Sequence, residues 1–381
     1  MEVRLRDDLA SLTPYDPDMR EVEVMLSANE NSYGLPEEVR AAMAARLAEV
    51  PAHRYPEAVS PRLRALLGDL RGVPARNVVV GNGGDEIIFN LLLAFGGPDR
   101  TAVVCPPTFS AYELYAQLTG TRVVNVRRAD DFSLDEPAVL AAASKADLVF
   151  ITSPNNPTGN LSRPDFAGCL ARSTDALIVV DEAYAEFADP AASCVPLTRA
   201  YPNICVLRTL SKAYALAGAR LGYLVAPDAV VDGLLAVRQP YSVSRFDQTA
   251  AEVVLEMRGC LEPLVDALVE NRAVLASALE RMASDLRARV GVPALAVYPS
   301  QANFLLVRLA SDVEGVPSAD AVHEALAGDF SILVRNFSHT PGLAGCLRLT
   351  VGTPQENERL VAALRSILGL APDPATEGEH K

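Results

Sequence analysis

Residues 204–226 read ICVLRTLSKAYALAGARLGYLVA, in which two apolar runs of strand length flank a loop that contains Lys212. Lysine is rare in this chain: only Lys145, Lys212 and Lys381 occur among 34 basic residues. A deprotonated lysine can form a Schiff base, whereas an arginine stays protonated and cannot. Lys212 is therefore either a reactive amine or, together with Ser211, part of a solvated helix start. The scarcity of lysine argues against the second interpretation.

Similar apolar runs precede this stretch and are separated by helical patterns. They are NVVV (77–80), TAVV (101–104), RVVNV (122–126), LVFIT (148–152) and LIVVD (177–181). Strand-length runs that alternate with helices predict parallel strands joined by helical crossovers. Continuous apolar runs also indicate a sheet that is covered on both faces. We therefore predict an α/β fold with a three-layer large domain, whose mostly parallel sheet binds its ligand at the carboxyl ends of the strands.

The pattern changes after about residue 230 and indicates a second domain. A long helical region (246–290) leads to the runs ANFLLVRL, ILVRNF and CLRLTVG, and a helix at 355–369 closes the series. We predict a smaller α/β domain at 251–370 and a large domain at 36–250. Residues 1–35 would form an N-terminal arm or small-domain segment, and the polar tail 371–381 would be disordered.

Composition excludes several classes of partner. A formal net charge of −14 argues against nucleic acid or an anionic membrane. The six cysteines form no CxxC pair and the four histidines show no ligand spacing, so we expect free thiols and no metal site. The N-terminus is charged and no apolar run reaches about 20 residues, so we expect a cytoplasmic protein with no membrane span.

Two turns that follow predicted strands have both a functional and a structural interpretation. In GNGGDE (81–86), the backbone amides of Gly84 and Asp85 at a helix start favour an anion such as phosphate. The alternative is a capped turn whose acids complement the helix dipole. SPNNPTG (153–159) either only shapes a turn or holds Asn156 as a rigid amide donor.

Asp181 ends the apolar run LIVVD, and Tyr184 follows three residues later. A buried unpaired carboxylate is costly, so Asp181 either caps the next helix or pairs with a buried cation. Together with Asn156, the GNGGDE turn and Lys212, it suits pyridoxal phosphate. The pyridine nitrogen of that cofactor needs an anion, its phosphate needs amides, hydroxyls and a guanidinium, and its aldehyde needs a lysine.

The order and spacing of these motifs resemble the fold-type I pyridoxal-phosphate aminotransferases, and most of all the histidinol-phosphate aminotransferase family. The resemblance extends from LTPY (12–15) to CLRLTVGT (346–353). It rests on SANENSYG (27–34), HRYP (53–56), GNGGDEII, PPTFSAY, SPNNPTG, VVDEAY, TLSKAYALAGARLGY and LRLTVG.

The resemblance implies a homodimeric enzyme of histidine biosynthesis. This enzyme would move an amino group between histidinol phosphate (as imidazole-acetol phosphate) and 2-oxoglutarate. Alternatives are an aminotransferase of the same fold for aromatic amino acids or a specialised metabolite, and a decarboxylase. A regulator of the same fold without turnover is strongly disfavoured, and a purely structural or partner-binding protein is disfavoured still more.

The resemblance also implies roles for individual residues around the cofactor. Lys212 would hold the aldehyde and move a proton, Asp181 would pair with the pyridine nitrogen, and Phe109 would stack on the ring. The ring oxygen would be bound by Tyr184 and Asn156. The phosphate would be surrounded by Gly84, Asp85, Ser211, Arg220, more weakly Thr209, and Tyr55 of a second subunit.

Four residues are implied to contact the substrate. Arg348 would bind an α-carboxylate, Tyr15 and Arg335 would face a distal phosphate, and Asn29 lies in a segment that closes near the carboxylate.

Several positions depart from the family pattern and leave the amino donor open. Phe109 stands where many relatives have tyrosine. In QPYSVSRF (239–246), Ser242 replaces a frequent asparagine, and Arg245 stands where a small residue is usual, with no role assigned. The segment DPDMREVEV after Tyr15 is short and acidic.

Overall fold

The computed structural model describes residues 3–10, 12, 18 and 20–373. Two predictions therefore fall wholly or largely outside the described residues: the substrate contact of Tyr15 and the disordered tail, of which only 371–373 are described. Among the described residues, none of the helices has the length and apolar character needed to span a membrane.

The first strand, β1 (Val24–Leu26), belongs to the smaller of two sheets. The larger sheet has seven strands. They are β2 (Val78–Asn82), β3 (Thr101–Val104), β4 (Arg122–Asn125), β5 (Leu148–Thr152), β6 (Leu177–Asp181), β7 (Ile204–Thr209) and β8 (Leu221–Val225). Their order across the sheet is β2-β8-β7-β6-β5-β3-β4.

The predicted parallel pairing is confirmed for β4, β3, β5, β6 and β7. The strand β8 is the exception, because it pairs antiparallel with both β2 and β7. Residues 210–220 between β7 and β8 contain no crossover helix, so the chain turns straight back and reverses direction. The loop that carries Lys212 is therefore the connection of a hairpin.

Twelve α-helices lie along the described chain. They are α1 (Glu37–Ala48), α2 (Pro61–Arg71), α3 (Gly83–Phe95), α4 (Ala111–Thr119), α5 (Glu136–Ala143), α6 (Pro164–Ser173), α7 (Leu197–Ala200), α8 (Asp228–Val237), α9 (Arg245–Glu256), α10 (Glu262–Val290), α11 (Ala319–Asp329) and α12 (Pro354–Ile367). The helical region predicted at 246–290 is thus two helices, α9 and α10, separated by a turn at 257–261.

Both faces of the larger sheet are buried, which confirms the three-layer prediction. In β6, Ile178 and Val180 belong to one apolar cluster, whereas Leu177 and Val179 belong to another. Residues of α2, α6 and α9 pack in the first cluster, and residues of α3, α4 and α8 pack in the second. This alternation requires apolar residues at every position of the strand, as the continuous runs indicated.

The smaller sheet has the order β1-β11-β12-β10-β9. Its remaining strands are β9 (Leu295–Tyr298), β10 (Phe304–Leu309), β11 (Ile332–Asn336) and β12 (Cys346–Thr350). The sequence predicted β10, β11 and β12, but it missed β1 and β9, which have three and four residues. The helix predicted at 355–369 is α12, which begins with a capping box between Thr353 and Glu356. The domain boundaries stay a prediction.

Candidate active site

The carboxyl ends of β5, β6 and β7 place polar residues along one edge of the larger sheet, and Asp181 lies at the centre of this edge. Its side chain is 5% exposed. Oδ2 accepts a hydrogen bond from the Tyr112 hydroxyl at 2.5 Å, and Oδ1 accepts one from the Ala183 N–H at 3.1 Å. Burial raises the pKa of Asp181 to about 6, although both hydrogen bonds act to lower it.

Lys212 lies in the hairpin between β7 and β8, so the solvated helix start is the wrong interpretation. Its Nζ donates a hydrogen bond to the Ala28 carbonyl at 2.8 Å. Burial, with a smaller contribution from the positive charge of Arg348, lowers the pKa of Lys212 to about 8. An amine with this pKa loses its proton close to neutral pH and can then act as a nucleophile or base.

The start of α3 lies beside the same hairpin and presents backbone N–H groups there. Gly83 has a φ of +79°, and a Cβ at this position would lie 3.1 Å from Arg220 Nη2. Arg220 donates a hydrogen bond to the Asp85 carboxylate at 3.0 Å. A helix start next to a guanidinium is a favourable place for an anion, which the Gly84 and Asp85 amides could bind.

Two hydroxyl residues of this hairpin differ in what they can offer to a ligand. The Thr209 hydroxyl donates to the Leu221 carbonyl at 3.2 Å and accepts from the Ser211 N–H at 3.0 Å. Thr209 therefore serves the hairpin itself. Ser211 is buried in the turn that follows β7, directly before Lys212.

Arg348 of β12 reaches the site from the smaller sheet. Its Nη1 donates to Asn156 Oδ1 at 2.5 Å, and its Nη2 donates to the Ser27 carbonyl at 2.6 Å. The guanidinium also lies 5.3 Å from the ring centre of Phe304 and 5.4 Å from that of Phe337. These contacts fix the orientation of a nearly buried cation.

A short segment after β1, residues 27–31, joins these groups. Asn29 donates from Nδ2 to the Tyr184 hydroxyl at 2.9 Å, and its carbonyl accepts from Asn303 at 3.0 Å. Asn31 donates to the Ala213 carbonyl at 3.2 Å. The same segment supplies the carbonyls that hold Lys212 and Arg348, so it connects both sheets at the site.

Three predicted residues lie at the margin of this group. Phe109 packs edge-on against Tyr112, with ring centres 5.7 Å apart. Arg335 of β11 lies opposite Arg348 in the strand register. Tyr55 is 78% exposed, and no hydrogen bond or ring contact joins it to Lys212 within the described part of the chain.

Comparison with known proteins shows the family to which the chain belongs. Residues 21–364 match the family model for aminotransferase class I and II. The chain belongs to this family. The resemblance seen in the sequence motifs is thereby confirmed at the level of the family.

This aminotransferase is similar to several proteins over nearly its whole length. It is 40% identical over 359 residues to histidinol-phosphate aminotransferase of Thermococcus gammatolerans, with 94% of this chain and 96% of that protein covered. It is 40% identical over 372 residues to histidinol-phosphate aminotransferase 1 of Burkholderia lata, with 96% and 98% covered.

A solved structure is similar as well. The crystal structure of histidinol-phosphate aminotransferase from Sinorhizobium meliloti in complex with pyridoxal-5′-phosphate has a TM-score of 0.83 and 26% identity. The match covers 97% of this chain and 98% of that chain.

Sequence reasoning missed two residues of the aminotransferase that shape the site. Tyr112, the hydrogen-bond partner of Asp181, was hidden because it lies on a helix 69 residues earlier in the chain. Gly222 of β8 has no side chain where α3 begins: a Cβ there would lie 2.5 Å from the Gly84 nitrogen. A glycine inside a strand pattern is the available signal for such a close approach.

We predict that Gly222→Ala weakens the packing of α3 against β8. The added Cβ would lie 2.6 Å from the Gly83 carbonyl carbon, so the backbone must shift. Forced overpacking costs about 1–3 kcal/mol, which a lower midpoint in thermal unfolding will show. Gly218→Ala is the control, because a Cβ there meets nothing within 4 Å. Equal midpoints for the two variants would contradict the close approach.

We predict that Asp181→Asn stabilises the cofactor-free aminotransferase near neutral pH. The folded-state pKa of about 6 exceeds the ordinary value of 3.8, so the folded protein binds this proton more tightly than the unfolded chain does. At pH values above the folded-state pKa, the charge of Asp181 therefore lowers the free energy of unfolding by up to about 3 kcal/mol, and below about pH 4 it has no effect. Urea unfolding near neutral pH and below about pH 4 measures the difference in free energy of unfolding between variant and parent. Asp175→Asn is the control, because Asp175 is exposed. A variant less stable than the parent near neutral pH would contradict the burial cost.

Proposed function

We propose that this aminotransferase uses pyridoxal phosphate to move an amino group between histidinol phosphate and 2-oxoglutarate. The observation that carries the proposal is the position of Lys212, an amine with a pKa of about 8 whose charged neighbours include Arg220 and Asp85 at the start of α3. Lys212 follows β7, and the neighbouring strand β6 ends at the buried carboxylate of Asp181. The substrate proposal is supported by the relatives at 40% identity, which are named histidinol-phosphate aminotransferases.

The residues of the site fit this cofactor in charge and in shape. Asp181 supplies a buried anion for a protonated ring nitrogen, and the Arg220 guanidinium with the α3 amides suits a phosphate. Substituting Gly83 or Gly222 with a larger residue would fill or displace this cradle. When bound, pyridoxal phosphate supplies an aldehyde that reacts with amines and a ring that withdraws electrons.

The residues of the chain would then perform the remaining work. Lys212 Nζ, once deprotonated, would bind the aldehyde and later take the proton from the substrate carbon that carries the amine. Asp181 would keep the ring nitrogen protonated. Asn156 accepts from Arg348 through Oδ1, so its Nδ2 would be the donor to the ring oxygen, next to the Tyr184 hydroxyl.

Two arginines would divide the anionic groups of the two substrates. Glutamate and 2-oxoglutarate bring carboxylates, whereas histidinol phosphate brings a phosphate. Arg348, held by Asn156 and Ser27, would bind an α-carboxylate, and Arg335 on the neighbouring strand would face the phosphate. Tyr15, which lies outside the described residues, is proposed to contact the same phosphate.

We further propose a homodimer with shared active sites. Tyr55 stacks on Tyr241 with ring centres 4.9 Å apart, and these residues are 78% and 43% exposed. Phe246, near Tyr241 in the chain, is 46% exposed. Exposed aromatic groups of this kind are typical of interaction surfaces, and two-fold dimers are the most common oligomers. The free cysteines, four of them buried, support a cytoplasmic location.

A half-reaction screen tests the proposed substrate. Holoenzyme without an acceptor is mixed separately with histidinol phosphate, glutamate, phenylalanine and tyrosine, and conversion of the cofactor to its amine form is followed by absorbance. We expect histidinol phosphate and glutamate to react. Lys212→Ala should abolish both reactions. Conversion by an aromatic amino acid alone would overturn the substrate proposal, and release of carbon dioxide would indicate a decarboxylase instead.

Matched arginine variants refine the same test. Arg335→Ala should raise the KM for histidinol phosphate at least about tenfold and affect glutamate less, since a charged hydrogen bond to phosphate is lost. Arg348→Ala should impair glutamate most strongly. Equal effects of both variants on both substrates would contradict the division of anions.

Mixed dimers test the shared site. Lys212→Ala and Tyr55→Phe subunits are each expected to have little activity alone. If Tyr55 serves the partner's site, a mixed dimer contains one intact site, so an equal mixture should regain about a quarter of wild-type activity. If Tyr55 serves its own subunit, the mixture recovers nothing. Co-purification through an affinity tag carried by only one of the two variants establishes that the subunits exchange.

A further inference from the structure

Tyr112 on α4 is completely buried, and its hydroxyl lies between two groups of the larger sheet. One is the Asp181 carboxylate at 2.5 Å, and the other is the Thr152 hydroxyl at 2.8 Å. A chain of contacts continues from Thr152 to Thr108 at 3.1 Å and from Thr108 to Asn155 at 2.7 Å. Asn155 precedes Asn156, the residue that binds Arg348.

The direction of the two hydrogen bonds of the Tyr112 hydroxyl follows from the charge of Asp181. An ionised carboxylate can only accept, so Tyr112 must donate its single proton to Asp181. Thr152 must then donate to Tyr112. A neutral Asp181 could donate to Tyr112 instead, and Tyr112 could then donate to Thr152 and Thr152 to Thr108. The bond from Thr108 to Asn155 Oδ1 keeps its direction in both cases, because an amide oxygen can only accept. The arrangement of the hydroxyl groups is thus coupled to the charged form of Asp181.

Other neighbours of Asp181 oppose this charged form. Burial disfavours the charge of Asp181 most strongly, and the negative charges of Asp85 and Glu182 disfavour it as well. Glu182 itself is paired with Arg208 at 2.5 Å. Against them stand the Ala183 N–H and the Tyr112 hydroxyl, and the Tyr112 bond is the shorter of the two.

We propose that Tyr112 is a positioning residue: its hydroxyl, oriented by Thr152, holds the Asp181 carboxylate in its charged form where the ring nitrogen of the cofactor binds. This inference rests on the proposed function. Tyr112 has no part in proton transfer to the substrate. Its effect passes through Asp181 alone.

Tyr112→Phe tests the proposal, because phenylalanine keeps the ring and removes only the donor. Without it the carboxylate becomes more basic and draws the proton away from the ring nitrogen. Holoenzyme reconstituted with pyridoxal phosphate labelled with ¹⁵N in the ring should show a resonance displaced toward the unprotonated value. The apoprotein should bind the cofactor about tenfold more weakly, which corresponds to about one pKa unit at Asp181.

Tyr223→Phe is the matched control. Tyr223 is also completely buried, and its hydroxyl accepts a hydrogen bond from Arg71 at 2.7 Å, away from Asp181. This control should lower thermal stability without moving the ¹⁵N resonance. A displacement equal to that of Tyr112→Phe would overturn the proposal, because it would reflect general loosening.

Thr152 provides a second, milder pair of variants. Thr152→Val should displace the ¹⁵N resonance in the same direction as Tyr112→Phe does. Thr152→Ser keeps the hydroxyl and should show the wild-type resonance. A wild-type resonance in both Tyr112→Phe and Thr152→Val overturns the proposal. If Tyr112→Phe does not fold, the Thr152 pair decides alone. The proposed function fails separately, through a wild-type protein that neither binds the cofactor nor transfers an amine.

Discussion

The burial of the Asp181 carboxylate is the constraint around which the site is built. A charge at the end of a central strand loses its hydration, and this loss is the largest cause of the raised pKa of Asp181. Two hydrogen bonds offset part of this cost. One comes from the Ala183 N–H, and the other comes from the hydroxyl of Tyr112, which packs in the same apolar cluster as Leu177 and Val179. A cationic ring nitrogen would offset the rest. The site is therefore less stable alone than with a positively charged ligand, as expected of a pre-organised binding site.

The second constraint is that the site needs both sheets. Lys212 and Tyr184 belong to connections of the larger sheet, whereas Arg348 belongs to β12 of the smaller one. Residues 27–31 hydrogen-bond to all three, and Asn29 adopts a positive φ of 56° there. A non-glycine residue in this conformation is held by its surroundings, here by Asn303 and Thr350. The position of the Lys212 amine relative to the Arg348 guanidinium thus depends on the short segment 27–31.

Much of this arrangement could be predicted from sequence, and the failures have physical causes. Strands buried on both faces gave continuous apolar runs, so their existence was evident. The antiparallel direction of β8 could not be predicted, because it depends on the connection between β7 and β8, and hydrophobic periodicity does not report the direction of a strand. β1 and β9 were too short for a pattern. Gly222 and Tyr112 act through contacts with segments far away in the chain, which a single sequence does not reveal.

The rarity of lysine now has a physical meaning at the site. Arg220 and Arg348 carry fixed charges, because guanidinium groups stay protonated at any physiological pH. Such charges suit permanent anions, and Arg348 also lowers the pKa of Lys212. Lys212 is the one cation in the described site whose charge can change near neutral pH. Arginine elsewhere leaves the electrostatic field constant while this amine gains and loses its proton, so the field of the arginines helps set the working pKa of the lysine.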